Sequence, residues 1–229
     1  MVFASGSESI KHRLRKGATF LFQGDSITDG NRGRDNDPNH IMGHGYAFSI
    51  ASELGAEYPE KQYRFFNRGI SGNTVVDLAA RWQPDTLDLN PDVLSILVGV
   101  NDASSAIFNW DVPVSVEQYG ELYDSLLEKT KRKFPGIVLV ICEPFILKVG
   151  NVAANWDAYE TDIKQRQAIV RNLADMYDAI LVGFQEVFTQ ACSKAPAEYW
   201  LWDGVHPTVA GHELMARAWM KRTKKRLSL

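Results

Sequence analysis

The sequence predicts an α/β fold in which helices cover both faces of a parallel β-sheet. Strand-like and helix-like segments alternate along the chain, and this alternation is typical of parallel strands joined by right-handed helical crossovers. Several strand-like segments are continuous apolar runs, the pattern of strands that are buried on both faces. No internal repeat, low-complexity tract or linker interrupts the pattern, so we expect a single domain over residues 1–229.

Five segments are expected to form the strands of this sheet. Each is a short run dominated by apolar residues, and glycine or proline follows the first four closely. They are residues 20–24, 63–67, 93–98, 137–141 and 179–182.

Six segments are expected to form helices between and after these strands. Helical spacing of apolar residues or a capping residue marks most of them, and Thr208 is a good N-cap for the last. They are residues 45–54, 74–82, 115–134, 156–177, 184–192 and a final helix that starts near 208. Residues 29–37 and 103–114 are interpreted as loops. The first lacks the glycine offset and the final glutamate of a calcium loop.

Composition places the chain among ordinary globular proteins. The hydrophobic fraction is 45%, the charged fraction is 23% and the formal net charge is −3, which excludes disordered and fibrous classes. Basic residues gather at the C-terminus, where cations complement the dipole of a final helix, and we favour that interpretation over a nucleic-acid patch. They are Lys221, Arg222, Lys224, Lys225 and Arg226.

The sequence predicts no metal, no cofactor and no membrane partner. Cys142 and Cys192 are too few for a disulfide framework or a zinc site, and His12, His40 and His44 lack ligand spacing. There is no glycine-rich nucleotide loop with its lysine. No stretch is long and apolar enough to span a bilayer, and residues 1–16 lack the apolar core of a secretory signal. We therefore expect a cytoplasmic location.

A candidate catalytic serine follows the first predicted strand. Ser26 lies just beyond the carboxyl end of that strand, where α/β sheets gather their ligands and reacting groups. Its hydroxyl needs a base, and His206 offers one. Asp203 lies three residues before His206 at the entry to the final helix, and residues so spaced on a helix face each other at ~5–6 Å between Cβ atoms. The carboxylate would fix the imidazole tautomer so that the other nitrogen accepts the Ser26 proton.

Donors for an oxyanion are expected at three strand ends. Gly69 has no side chain to block its N–H, Asn101 carries an amide donor, and the N–H of Ser26 completes a set of three. Two of these residues have a structural alternative, because Ser26 could simply cap a helix and Asn101 could be a turn residue. Asp25 is expected to hold the turn through backbone hydrogen bonds. Structural roles are likewise expected for His212 and for Glu143.

Taken together, these motifs resemble those of the SGNH hydrolases, also called the GDSL esterase/lipase family. The blocks are Gly24-Asp25-Ser26, Gly69, Gly99-x-Asn101 and Asp203-x-x-His206-Pro207, in order from end to end of the chain. The resemblance implies a three-layer α/β/α sandwich around a five-stranded parallel sheet with flavodoxin-like strand order. It implies a carboxylic ester hydrolase in which Ser26 is the nucleophile, His206 the base and then the acid, and Asp203 the orienting carboxylate. The oxyanion roles fall on Ser26, Gly69 and Asn101.

Within that family, two regions resemble the carbohydrate acetylesterases that act on acetylated xylan and its oligosaccharides. One consists of residues 67–75, which include Asn73, and residues 80–82; the other consists of residues 202–207, which include Trp202, and residues 210–212. Asn73 and Trp202 are therefore candidate substrate contacts. Phe108 and Trp110 in the 103–114 loop suit either the apolar faces of sugars or a subunit contact, which leaves a homo-oligomer open.

Three functional hypotheses follow from these observations. The first is a serine esterase that removes acetyl groups from a carbohydrate. The second is a short-chain esterase, lysophospholipase or thioesterase with a leaving group that is not a sugar. The third is an inactive sugar-binding domain, against which the intact set of Ser26, Asp203 and His206 argues.

Overall fold

A computed structural model describes residues 12–35 and 37–229. Residues 1–11 and 36 lie outside this description, and with them most of the segment in which a secretory signal was not expected. The described chain forms one five-stranded sheet in the order β2-β1-β3-β4-β5, and every adjacent pair is parallel. The strands are β1 (Thr19–Gly24), β2 (Arg64–Asn67), β3 (Val93–Leu97), β4 (Val138–Cys142) and β5 (Ile180–Val182).

Ten α-helices lie in the described part of the chain. They are α1 (Ser26–Asp29), α2 (Tyr46–Glu57), α3 (Val75–Asp85), α4 (Val100–Ile107), α5 (Val116–Lys133), α6 (Gly150–Ala153), α7 (Trp156–Met176), α8 (Phe184–Ala191), α9 (Ala197–Trp200) and α10 (Val209–Leu227). Short 3₁₀ turns occupy Pro59–Lys61 and Leu87–Leu89. Helices α2, α8 and α10 pack together on one face of the sheet, and α3, α5 and α7 on the other. The predicted three-layer α/β fold with flavodoxin-like strand order is confirmed.

Alternation along the strands divides the core into two layers. In β1, Phe20 and Phe22 enter the core beneath α2 and α10, whereas Leu21 enters the core beneath α3 and α5. Ser95 of β3 faces the first layer and accepts a hydrogen bond from Nε1 of Trp219 at 3.1 Å, which satisfies both polar groups. The two-sided burial predicted from the apolar runs is therefore observed.

Three segments near the strand ends differ from the sequence prediction. The predicted 103–114 loop begins as helix, because α4 extends from Val100 to Ile107 directly after Gly99. A single helical turn, α1, follows β1. Asp203 and His206 lie in an irregular turn rather than in the first turn of a helix, since α10 begins only at Val209, with Thr208 as its N-cap. The turn is closed by an antiparallel bridge between Leu201 and Pro207.

The fold brings the segments that carry Ser26, Gly69 and Asn101 to one edge of the sheet. Parallel strands end at the same edge, so the segments after β1, β2 and β3 meet there.

Among the described helices, none combines the length and the hydropathy that a membrane crossing requires.

Candidate active site

Ser26 is held at a sharp turn between β1 and α1. Asp25 is the N-cap of α1, and its Oδ1 accepts a hydrogen bond from the N–H of Ile27 at 3.0 Å, as expected for a residue that holds the turn. Gly24 must lack a side chain, because a Cβ there would lie 2.2 Å from the carbonyl oxygen of Leu97. The turn therefore fixes Ser26 at the carboxyl edge of the sheet.

The hydroxyl of Ser26 has a base within hydrogen-bonding distance. Its Oγ lies 2.8 Å from Nε2 of His206, and Nδ1 of His206 lies 2.7 Å from Oδ2 of Asp203. The geometry matches a serine whose proton passes to an imidazole that a carboxylate orients. The structure thus brings together Ser26, His206 and Asp203, as the sequence predicted.

Asp203 holds the histidine turn through its other carboxylate oxygen. Its Oδ1 accepts hydrogen bonds from the backbone N–H groups of Val205 at 2.9 Å and His206 at 2.7 Å. The carboxylate therefore fixes both the path of the turn and the tautomer of the ring. This explains why Asp203 and His206, three residues apart, are in side-chain contact although the turn is not helical.

The surroundings of Asp203 and His206 shift the pKa values of both side chains. The hydrogen bond that His206 donates to Asp203 outweighs burial and raises the pKa of His206 above its ordinary value of 6.5. Burial raises the pKa of Asp203, but the hydrogen bonds from the His206 side chain and from two backbone N–H groups outweigh it and lower the pKa overall. The carboxylate is therefore ionised wherever the imidazole titrates.

Two of the three predicted oxyanion donors are free to act. Among the described residues, no acceptor takes the backbone N–H of Ser26. One hydrogen of Asn101 Nδ2 goes to the carbonyl oxygen of Asn73 at 3.1 Å, which orients the amide and leaves its second hydrogen available.

The third predicted donor, Gly69, is already engaged. Its N–H donates to Oδ1 of Asn67 at 2.9 Å, and a Cβ at this position would lie 2.3 Å from the backbone nitrogen of Asp29. The absence of a side chain at Gly69 therefore serves the close approach of two backbone segments. This contact argues against the predicted oxyanion role.

Gly72 has a backbone N–H near Asn101 that the sequence analysis did not consider. It lies in the turn from Ile70 to Asn73, adopts a φ of +84°, and its N–H meets no acceptor among the described residues. The carbonyl of Asn73 that binds Asn101 belongs to the same turn, so Gly72 and Asn101 are neighbours. The Gly-Asn pair before a helix N-cap could have indicated this turn, because it favours a left-handed conformation.

The two predicted substrate contacts have different surroundings. Trp202 is 64% exposed, and its ring lies nearly parallel to that of His206, with 6.4 Å between centroids and 26° between planes. The side-chain oxygen of Asn73 accepts a hydrogen bond from Nε of Arg81 at 2.8 Å. The side chain of Trp202 is thus open beside the base, whereas that of Asn73 is held by Arg81 of α3.

Three further predicted residues have structural contacts. Nδ1 of His212 accepts from the N–H of Tyr46 at 3.1 Å, and burial lowers the pKa of this imidazole to about 4, so it is neutral. Glu143 is buried and pairs with Arg171. Burial raises the pKa of Asp25 to about 7.

The histidines and cysteines considered in the sequence analysis can be examined for metal or thiol chemistry. Within the described residues, no three His, Cys, Asp or Glu side chains converge as a metal site would require. Cys142 is buried at the end of β4, Cys192 is partly exposed after α8, and both are free thiols. Burial raises the pKa of Cys142 to about 12, which makes it a poor nucleophile.

Comparison with known proteins identifies the class. Residues 22–214 match the GDSL-like lipase/acylhydrolase family, and the chain therefore belongs to that family. It is a carboxylic ester hydrolase, as the motif resemblance implied.

Similarity to three proteins extends over nearly the whole chain. An acetylxylan esterase from Geobacillus stearothermophilus is 35% identical over 217 residues, which cover 91% of this chain and 95% of the relative. The crystal structure of Axe2, an acetylxylan esterase from the same organism, superposes with a TM-score of 0.80 at 33% identity, covering 92% and 95% of the two chains. A protein described as a GDSL-like lipase from Parabacteroides merdae gives a TM-score of 0.88 at 40% identity, covering 93% and 98%.

Proposed function

We propose that this chain is a serine esterase that removes acetyl groups from xylan-derived or related oligosaccharides. The observation that carries the mechanism is the chain of hydrogen bonds from Ser26 through His206 to Asp203, at 2.8 and 2.7 Å. The similarity to acetylxylan esterases supports the substrate class. The second support is the open ring of Trp202 beside the base, because aromatic faces suit the apolar faces of sugar rings.

The first half of the proposed reaction forms an acetyl-enzyme. Oγ of Ser26 attacks the carbonyl carbon of the acetyl group while Nε2 of His206 takes the hydroxyl proton. The negative oxygen of the tetrahedral intermediate is stabilised by the N–H groups of Ser26 and Gly72 and by Nδ2 of Asn101. His206 then donates its proton to the departing sugar oxygen, and the bond between that oxygen and the acetyl carbon breaks.

The second half of the reaction returns the enzyme to its starting state. His206 removes a proton from water, the hydroxide attacks the acetyl carbon, and the bond to Ser26 Oγ breaks with return of the proton to Ser26. Acetate leaves. Asp203 remains ionised throughout and stabilises the imidazolium that forms twice in the cycle.

Acetate release from a defined substrate panel tests the substrate class. The panel contains acetylated xylo-oligosaccharides, other acetylated sugars, and aryl esters with acyl chains of two to eight carbons. We expect acetyl to be the preferred acyl group and xylo-oligosaccharide acetates to exceed aryl acetate once leaving-group reactivity is taken into account. A preference for octanoyl esters would favour a lipid esterase, and equal turnover of all acetates would favour a general short-chain esterase.

Substitution of Trp202 refines the same test. Trp202→Ala should lower turnover of the sugar acetate more than turnover of aryl acetate, because the ring would contact the sugar that leaves. Tyr199→Ala is a matched control, since Tyr199 is also an exposed aromatic residue of this segment but packs on Trp200. Equal losses on both substrates would assign Trp202 a packing role.

The cytoplasmic location expected from the sequence stays a prediction, which cell fractionation can test.

A further inference from the structure

A second cleft opens beside the turn that carries Gly72. Its volume is about 500 Å³, which is within the range of small-molecule sites. It is bounded by the start of α3 and by the loop that follows α4, through Gly72, Thr74, Asp77, Trp110, Asp111 and Val112. Gly72 belongs both to this cleft and to the proposed oxyanion hole, so the cleft adjoins the reacting centre.

The loop that carries Trp110 is fixed in place by buried groups. The N–H of Trp110 donates to the carbonyl oxygen of Ser105 at 3.0 Å, and the N–H of Val114 donates to Oγ of Ser105, also at 3.0 Å. The carbonyl of Val114 accepts from Nη2 of the buried Arg166 at 2.8 Å. A loop anchored at both ends presents its side chains with little ordering cost on binding.

The structure separates Trp110 from the other aromatic residue of this region. Phe108 is 49% exposed but packs edge-on against Tyr159, with 6.0 Å between ring centroids. Trp110 is 42% exposed and lines the cleft. Among the described residues, it has no aromatic or cationic partner, and its indole N–H has no acceptor. Its ring and its donor are therefore both available to a ligand.

Two carboxylates give the cleft its polar character. Oδ2 of Asp77 accepts from the backbone N–H and from Oγ1 of Thr74, each at 2.8 Å, which leaves Oδ1 of the same residue available. Asp111 is exposed, and neither carboxylate forms a salt bridge within the described residues. An aromatic face beside acceptors of this kind suits a neutral polyhydroxylated ring, and the negative charge disfavours an anionic one.

We propose that this cleft is a second sugar subsite, which binds a neutral ring of the oligosaccharide next to the acetylated one. The inference rests on the proposed function and extends it. Trp202 contacts the substrate from the turn of His206, and Trp110 contacts it from the loop after α4, which faces the turn of Gly72 across the cleft. The acetylated oligosaccharide would therefore span the reacting centre between two aromatic rings that come from different parts of the chain.

Dependence of turnover on oligosaccharide length tests the subsite. We expect kcat/KM of the wild-type enzyme to rise from singly acetylated xylose to singly acetylated xylobiose and xylotriose. Trp110→Ala should remove most of this rise, lowering the ratio of the trimer value to the monomer value by about tenfold, which corresponds to the loss of one aromatic contact. Phe108→Ala, the matched control, should keep the ratio of the wild type.

A binding measurement gives a readout that does not depend on hydrolysis. Titration calorimetry of Ser26→Ala with unacetylated xylotriose should show binding that is about tenfold weaker when Trp110→Ala is added. A xylotriose that carries a uronic acid should bind more weakly than the neutral one, because of Asp77 and Asp111. Equal affinity with and without Trp110, or tighter binding of the uronate, would overturn the proposal.

The failure of this proposal is distinguishable from failure of the proposed function. If acetylated xylose and xylotriose are hydrolysed equally well, the subsite is wrong and the acetylesterase stands. If no sugar acetate is hydrolysed while aryl acetate is, the substrate class itself is wrong, and the subsite with it. If Trp110→Ala changes the molecular mass in solution while Phe108→Ala does not, the cleft is a subunit contact, which also overturns the subsite.

Discussion

Ser26 and His206 lie 180 residues apart in the sequence, yet their reacting atoms are 2.8 Å apart. At the residue scale, this hydrogen bond distinguishes Ser26 from an ordinary helix-start serine, since a serine that merely capped α1 would direct its hydroxyl to a backbone N–H of that helix. In this structure Asp25 performs the capping instead, through its bond to Ile27. The Ser26 hydroxyl therefore remains available for its base.

Asn101→Ala is the sharpest residue-scale test of the oxyanion hole. The substitution should lower kcat by about 10²–10³-fold and change KM little, because the amide acts on charge that develops in the transition state. The amide also bonds the carbonyl of Asn73, so a thermal melt should accompany the kinetics. A folded variant with unchanged kcat would remove Asn101 from the site.

The pH dependence of kcat/KM reports on His206. The imidazole must be neutral to act as a base, and its pKa is raised because Asp203 stabilises the protonated form. Activity should therefore fall on the acid side with a midpoint above 6.5, and an NMR titration of the His206 ring in Ser26→Ala should show the same direction. A flat profile between pH 5 and pH 8, on an enzyme that stays folded, would contradict this role.

At the scale of elements, the turns after β1 and β2 are locked against each other. The side chain of Asn67 donates to the carbonyl oxygens of Thr28, Asp29 and Met42, while its Oδ1 accepts from Gly69. The carboxylate of Asp29 accepts a hydrogen bond from Arg34 in the predicted 29–37 loop. The turn that holds Ser26 is thereby braced by the strand beside it.

Substitution of Gly69 tests this interpretation of the brace. A Cβ at Gly69 would meet backbone atoms of Asp29, so Gly69→Ala should destabilise the fold by about 1–3 kcal/mol, the usual cost of overpacking. Gly136→Ala is the matched control, since a Cβ there has nothing within 4 Å and its φ is not positive. Equal denaturant midpoints for the two variants would show that the close approach at Gly69 carries no stabilising role.

The elements were largely predictable from apolar runs, whereas some of the turns were not. The predicted loop at 103–114 overlaps the second half of α4, where Ser104 and Ser105 have weak intrinsic helix propensity and tertiary contacts decide the conformation. Ser105 even supports the following loop through Val114. Short polar helices at strand ends depend on such contacts, and local sequence alone carries little signal for them.

At the scale of the whole molecule, the buried Asp25 links stability to pH. Its pKa is about 7 in the folded protein and has an ordinary value of 3.8, so the folded state holds the proton more tightly than the unfolded state does. This contribution favours folding below pH 4 and is lost as the pH rises through 7. The site therefore carries a stability cost at neutral and alkaline pH, chiefly because of burial.

Asp25→Asn should remove that cost while keeping an oxygen for the N–H of Ile27. The free energy of unfolding of the variant should exceed that of the wild type by up to about 4 kcal/mol at pH 8, and the difference should shrink towards pH 4. Denaturant unfolding at several pH values measures this difference. A gain that is the same at pH 4 and pH 8 would show that ionisation of Asp25 is not its source.

Much of the candidate site was predictable because strand ends meet at one edge of a parallel sheet. That rule alone places Ser26 near Asn101, and the spacing of Asp203 and His206 indicated their contact although the turn is not helical. The sequence does not show that the N–H of Gly69 is engaged while that of Gly72 is free, because the side chain of Asn67 accepts the first of them. Such a contact is set by three-dimensional packing, which the order of residues does not reveal.

The most direct test of the central claim is to identify the nucleophile by covalent labelling. The enzyme is treated with a serine-directed organophosphorus reagent, digested and analysed by mass spectrometry, and Ser26→Ala is treated in parallel as the control. The proposed mechanism predicts a single label on Ser26 in the wild type, no label in the variant, and a loss of turnover of roughly a million-fold in the variant, as in an unrelated triad enzyme. A label on another residue, together with retained activity in Ser26→Ala, would contradict it.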